Sequence, residues 1–325
     1  MITFDEAVAA IEGARRFPDL LNGPLAVARP AHAYRMLLKI VHPDVAPAGR
    51  RESATRAAAK LSALWADTRP RQLNTPRASY RLGSLVASGD LADLHALDDD
   101  ALLKMPRQPA DNDLMRAEIS ALTTLHRDGD PRHRAYAPRL IESFTHEDAA
   151  GVRRTASILA RQDGFVPLTG LEHRLDPRDV AWMWRRLLTG LGWAHRAGVV
   201  HGAVLPEHVL IHPGEHGLVL VDWCYSVAPG ATVPAVVARY RDAYPPEVTG
   251  RGSATAATDI HMATGLMLRL IADPPAALRR FAAGCRYAAP RMRPQDAWQL
   301  LGEFDELLEN LYGPRRFRPF ALPAR

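Results

Sequence analysis

The chain has 325 residues, 47% of them hydrophobic and 24% charged, with a formal net charge of +5. That is enough apolar material for two or three globular units and excludes overall disorder. The acidic start at Asp5 and Glu6 and the lack of an apolar run of membrane length argue against a secretion leader and a bilayer span. Two cysteines, Cys224 and Cys285, are too few for a disulfide framework or a zinc cage and read as small core residues, so cytoplasm is the expected compartment.

Much of the basic excess lies in two segments, Arg69, Arg71, Arg77 and Arg81, then Arg315, Arg316 and Arg318. Neither interleaves aromatics with its charges, so solvated segments are expected and nucleic-acid and membrane partners are not. Lysine occurs only at Lys39, Lys60 and Lys104. A compact ammonium suits a tight phosphate pocket better than a guanidinium fork does, so each lysine is informative.

In chain order, the first unit, residues 1–68, reads as short helices. Tyr34, Leu37, Leu38 and Val41 fall at helical spacing, and Ala57, Leu61 and Leu64 repeat it. Between the two helices stands His42-Pro43-Asp44, where the proline should end the first helix. This arrangement, with the Leu61 to Trp65 run behind it, resembles the J domain of DnaJ-type co-chaperones. The resemblance implies a DnaK-type ATPase as partner, met through His42, Pro43 and Asp44 and through a basic face at Arg35 and Lys39. An ordinary helix stop is the plain alternative for the tripeptide.

Residues 69–79, proline- and arginine-containing, read as a linker. From 80 to 161, short apolar runs at Leu82 to Val86, Leu94 to Leu97, Ala101 to Lys104, Leu140 to Phe144 and Thr155 to Leu159 surround one helical stretch after Pro109. From 162 to 311 the pattern turns helical, beginning with an Asp176 cap and Pro177. Residues 312–325 form a basic, proline-containing tail.

The stretch His201 to Ile211, followed by a turn at Pro213 to Gly217 and an apolar run into Asp222, resembles the catalytic loop and DFG hairpin of protein kinases. His201 falls on the His of HRD, Gly202 on its Arg, Ala203 on the catalytic Asp and His208 on the metal-binding Asn. Asp222 alone keeps the DFG carboxylate. Lys104, in Ala101-Leu102-Leu103-Lys104, is similar to the phosphate-holding Lys of VAIK, and Glu118 to its helix partner. Of the glycine-rich loop only Gly89 remains, with Asp90 beside it. Asp259, Glu247 in Pro245-Pro246-Glu247, and Arg293 resemble the structural anchors of the larger lobe. Each residue taken singly has a plainer reading: a surface lysine, solvated carboxylates, a turn-forming Asp.

The expected fold is therefore α+β, a small all-helical J-like domain followed by a bilobal kinase-like fold with a β-rich small lobe and a helical large lobe. The resemblance implies ATP with one Mg²⁺, the nucleotide held by Lys104, Glu118, Gly89 and Asp222, and Asp222 and His208 as the candidate metal residues. Imidazole at His208 suits softer metals, so the usual second magnesium site is expected to be lost. Loss of a general base costs on the order of 10²- to 10⁴-fold, so Ala203 points to a pseudokinase serving as co-chaperone or signalling adaptor for an unidentified protein client. An atypical phosphotransferase or nucleotidyltransferase, with Glu207 or His208 covering for the missing base, remains open. So does a pair of domains serving only as an interaction surface.

Overall fold

A computed structural model describes residues 2–21, 29–66, 71–98 and 100–323. The fold is mixed α+β, and the chain divides into two compact units: Met1–Asn74 with Ser79–Gly83, and Thr75–Ala78 with Ser84–Arg325. No helix among the described residues is long and apolar enough to cross a membrane.

The first unit is built on α1 (Phe4–Gly13), α2 (Pro30–Val41) and α3 (Arg51–Ala66). Thr3 starts α1 with a capping box: its backbone N–H donates to Glu6 Oε2 at 2.8 Å and its hydroxyl accepts from the Glu6 N–H at 3.4 Å. The apolar stripes meet in a core of Ile11, Phe17, Leu37, Val41 and Leu61, with Tyr34 stacked on Trp65 at 4.9 Å between ring centroids. α2 stops at Val41 because Pro43 holds His42 extended, at φ −68° and ψ 133°.

The segment 69–79 is not a linker throughout. Residues Arg71–Asn74 form β1, which pairs antiparallel with the start of β2 (Ser79–Ser88), Arg71 opposite Leu82 and Asn74 opposite Ser79. Leu73 is buried, and Pro76 falls in the turn between the strands, where its missing N–H costs no ladder bond. The expected boundary at residue 80 also shifts, since Ser79–Gly83 belong with the first unit. Arg69 and the junction at 67–70 lie outside the described residues, as do 22–28 within the expected 1–68 unit.

The second unit opens with the remainder of β2, then β3 (Ala92–Leu97), β4 (Ala101–Pro106), α4 (Asn112–Asp128), β5 (Leu140–Glu147) and β6 (Arg153–Ala160). These strands form an antiparallel sheet in the order β2-β3-β4-β6-β5. A second, smaller sheet joins β7 (Val166–Pro167) to β8 (Val209–His212) and β9 (Gly217–Leu220). The rest is helical: α5 (Pro177–Arg196), α6 (Pro246–Thr249), α7 (Ala256–Leu270), α8 (Ala276–Cys285) and α9 (Ala297–Tyr312).

Asp176 caps α5 by accepting from the Arg178 N–H at 2.8 Å, with Pro177 in the first turn. Trp184, Leu187 and Leu191 are buried on α5, and Trp184 packs on Phe304 of α9 at 4.7 Å. α7 is buried on nearly every side, which carries Asp259 inside with it. The terminal segment after Tyr312 docks on α5: Arg318 pairs with Asp176 and Asp179, each at 3.2 Å, and Phe320 meets Trp182 edge-on at 5.8 Å. A cavity of about 510 Å³ lies beneath it.

Candidate functional site

Alternation along β4 sends Ala101 and Leu103 to one face and Leu102 and Lys104 to the other. Lys104 therefore stands between Leu94 of β3 and Ser157 of β6, its partners in register, and only 4% of its surface is exposed. On α4 the buried positions Met115, Glu118, Leu122 and Leu125 make one helical stripe. Glu118 thus enters the interior as a member of an apolar face, and a carboxylate there needs a partner. Lys104 supplies it, with Nζ 2.8 Å from Glu118 Oε1.

The same ammonium donates to Asp222 Oδ1 and lies 3.2 Å from Cys224 Sγ. Asp222 follows β9 in the left-handed region, at φ 64° and ψ 51°, a conformation uncommon outside glycine. A short 3₁₀ turn over Trp223–Tyr225 then folds the chain back and brings Cys224 beside Lys104.

These charges set one another's protonation. Burial alone would strip the Lys104 proton, but the Asp222 carboxylate, with that of Glu118, holds the ammonium well above the usual lysine range. Burial likewise pushes Asp222 up, and Lys104 and His208 more than reverse it, leaving the carboxylate well below its ordinary value. Glu118 ends above its ordinary value because burial outweighs its share of Lys104. The Cys224 thiol is driven well up by burial and by Glu118, which keeps it protonated and unreactive.

Beside this cluster lies the loop 201–208, anchored by Asp259. Its carboxylate accepts from the backbone N–H groups of His201 at 2.8 Å and Gly202 at 2.9 Å and contacts His195 Nε2 at 2.8 Å. The His201 ring packs on Trp223 at 4.5 Å and meets the Val221 carbonyl through Nε2 at 3.1 Å. Gly202 has φ 74°, and a Cβ there would come within 2.6 Å of the Tyr225 carbonyl oxygen, so the position demands glycine. Ala203 is fully buried; its N–H donates to His201 Nδ1 at 3.3 Å, and its carbonyl meets His208 Nδ1 at 2.8 Å. His208 Nε2 lies 3.1 Å from Asp222 Oδ2 and 3.6 Å from Glu207 Oε1. Burial would lower the His208 pKa, but the Asp222 carboxylate raises it above the ordinary histidine value.

Of these groups, Lys104, Glu118, Asp222, Glu207 and His208 line one cleft of about 560 Å³. Leu94, Leu102, Leu159 and Leu210 make its apolar walls, and Lys104, Glu118, Asp222, Glu207 and His208 its polar floor. Gly89 lines the mouth, in the turn between β2 and β3. Its N–H donates to the Ala92 carbonyl at 2.9 Å, and an alanine Cβ would find ordinary contact there, 3.4 Å from that oxygen. The Asp90 carboxylate is taken by the Tyr225 hydroxyl, and its carbonyl by Arg107 at 2.5 Å. That bond and burial together drive the Tyr225 phenol far above its ordinary pKa.

Glu247 and Arg293 form a buried bidentate pair at 2.7 and 3.0 Å, supported by the Thr258 hydroxyl at 3.0 Å, away from the cleft. In the first unit His42, Pro43 and Asp44 sit in an exposed or half-exposed turn closed by the Val45 N–H on the His42 carbonyl at 3.0 Å. Arg35 and Lys39 are exposed one turn apart on α2.

Sequence reasoning missed three participants. Cys224 read as a plain core residue, yet it touches Lys104. Tyr225 and Arg239 gave no signal; the first latches Asp90, the second pairs with Glu207 Oε2. A cysteine two residues beyond the carboxylate was the one available hint, and it needs the 3₁₀ turn to acquire meaning.

A scan against protein-family models finds no match to this chain, and a search of curated proteins finds none either.

Proposed function

We propose that the chain is a J-domain pseudokinase: the second unit a kinase-like fold that binds ATP without efficient phosphate transfer, the first a J-like module that recruits a DnaK-type ATPase. One observation carries the reading of the cleft. A buried lysine is fixed between a helix glutamate and a carboxylate that ends a strand, at the floor of a cavity with apolar walls, while the neighbouring loop offers Ala203 where a general base would stand. Phosphoryl transfer needs positioning and charge neutralisation as well as a base. On this reading Lys104, Glu118 and Asp222 would hold the phosphates, and Ala203 offers no base. ATP, accompanied by one Mg²⁺ on Asp222, would place its base against Leu94, Leu102 and Leu159 and its phosphates toward Lys104.

The proposed role of the first unit rests on the exposed His42-Pro43-Asp44 turn and the basic face of Arg35 and Lys39, which suit an acidic protein partner. Cytoplasm is the compartment this role requires.

A second reading, an atypical phosphotransferase or nucleotidyltransferase, draws on Glu207 and His208, whose Oε1 and Nε2 atoms lie at the cleft floor without a hydrogen-bond partner. Incubation with γ- or α-labelled ATP separates the two. The pseudokinase reading expects no covalent label on the chain or on added proteins, and label that vanishes in Lys104→Ala would replace it with the second. For the first unit, the wild type should stimulate the ATPase of a DnaK-type chaperone, and His42→Gln should abolish that stimulation. A wild type without stimulation would remove the co-chaperone role.

A further inference from the structure

The segment after α9 is a strap fastened at its far end. Gly313 ends the helix at φ 75° and ψ −168°, a conformation essentially confined to glycine, and its N–H donates to the Glu309 carbonyl at 2.8 Å. The chain then turns back over α5. Arg318 on Asp176 and Asp179 holds it there, with Phe320 against Trp182 and Phe317 4.7 Å from the His216 ring, which itself stacks on Trp182 at 4.2 Å. Fastened so, the strap roofs a cavity of about 510 Å³ whose other walls are α5 and α9.

The charges around this cavity do not cancel. Arg178 grips Asp176 at 2.9 and 3.1 Å, and Arg318 takes both Asp176 and Asp179, so at this end two guanidiniums meet two carboxylates. At the other end Arg185 pairs with Asp305, while Arg315 and Arg316 on the cavity wall find no carboxylate partner among the described residues. Arg186, next on α5, donates to the His216 carbonyl at 3.1 Å and the Tyr136 hydroxyl at 3.4 Å, neither of which cancels its charge. Four guanidiniums thus stand against Asp305 and Glu309, a surplus of two positive charges. Arg185 registers the surplus: burial pushes its pKa below the ordinary value, and Arg315 and Arg186 repel it further than Asp305 restores. Arg315 also acts on Asp305 and His216, so its charge is directed inward over α5.

We infer that this cavity binds a small organic phosphate, its phosphate among Arg185, Arg315 and Arg316 and its organic body against Trp182, Leu308 and Phe317. Guanidinium forks take phosphate oxygens in pairs, and a phosphate of nearly two negative charges matches the surplus. An apolar wall with a few convergent polar groups, at this volume, suits a compact ligand. No residue lining this cavity lines the cleft of Lys104, so the two assignments stand or fall separately.

The test uses the intact chain without nucleotide or Mg²⁺, and phenyl phosphate as the probe. Phenol and sulfate, each lacking one half of that probe, are the comparisons. Calorimetry should find one phenyl phosphate per chain, bound at least about tenfold more tightly than either comparison, since a hydrogen bond to a charged group contributes about 1.5–3 kcal/mol. The double variant Arg315→Gln/Arg316→Gln, checked for folding by its ligand-free melting, should lose at least about tenfold in affinity. Arg291→Gln, outside the cavity lining, should bind as the wild type does. Trypsin cuts after Arg315 and Arg316, and saturating phenyl phosphate should slow release of the chain beyond Arg316 at least about fivefold. Binding unaltered in the double variant, no saturable binding at millimolar probe, or a strap cut at the same rate with ligand bound overturns the site. Sedimentation with phosphatidic acid vesicles in the absence of phenyl phosphate binding would also overturn it, by assigning these arginines to a bilayer surface.

Discussion

The two units handle charge in opposite ways. In the first, the His42-Pro43-Asp44 turn is exposed or half-exposed, and its polar contacts among the described residues include Asp44 N–H to His42 Nδ1 at 3.3 Å and the two side chains 3.5 Å apart. In the second, Lys104, Glu118 and His208 are buried and Asp222 half-buried, and the bonds among them join β4 and α4 to the segments flanking β8 and β9. A charge on the surface is free to serve a partner and does little for the fold. A charge in the interior holds the fold at high stakes, since each member is costly without the others.

The largest effect should follow Lys104→Met. Removing the ammonium leaves Asp222 and Glu118 buried without their cation, a loss of about 3–5 kcal/mol in chemical denaturation. Adding Glu118→Leu should recover part of it, and a double-mutant cycle without coupling would show that the three groups do not act as a unit. Next comes Asp259→Ala. It strips the acceptor from two backbone N–H groups and from His195, a cost of about 3 kcal/mol, with faster amide exchange at His201 and Gly202 as a second readout.

The pH dependence comes third. Burial holds the His201 pKa down to about 4, against 6.5 for an ordinary histidine. Between these values the unfolded chain binds a proton that the folded chain refuses, so the stability contribution, complete above pH 6.5, is lost as pH falls. His201→Gln should flatten that slope, worth about 2 kcal/mol between pH 6.5 and 5. His208, raised above its ordinary value, acts the other way: its contribution is complete below pH 6.5 and lost as pH rises through its folded pKa. A variant as steep as the wild type below pH 6.5 would put the titrating group elsewhere. The smallest effect on stability belongs to the exposed turn, where His42→Gln should stay within about 0.5 kcal/mol while abolishing stimulation of a DnaK-type ATPase.

The contrast also explains what could be read from the sequence. An ionisable residue on an apolar stripe announces a buried partner, and Glu118 does so between Met115 and Leu122. The contact of Glu118 with Lys104 and the anchoring of the loop by Asp259 were expectations that the resemblance to kinases carried, whereas the helix stop before Pro43 was legible for a local reason. So was the order of strands and helices, which follows from hydrophobic period. β1 was hidden because arginine and proline around Leu73 mimic a linker. Tyr225 on Asp90 and Arg239 on Glu207 were hidden because they span 135 and 32 residues with no periodic signal.

The central claim, that the cleft holds a nucleotide without passing on its phosphate, is tested most directly by thermal melting with and without ATP and Mg²⁺. A rise in Tm is expected for the wild type, at least about 2.7 kcal/mol of stabilisation when ligand stands a hundredfold above Kd. No rise is expected for Lys104→Met relative to its own ligand-free state, and ATP should be recovered intact afterwards. An unchanged Tm across millimolar ATP, or steady ATP consumption lost with Lys104, would contradict the claim.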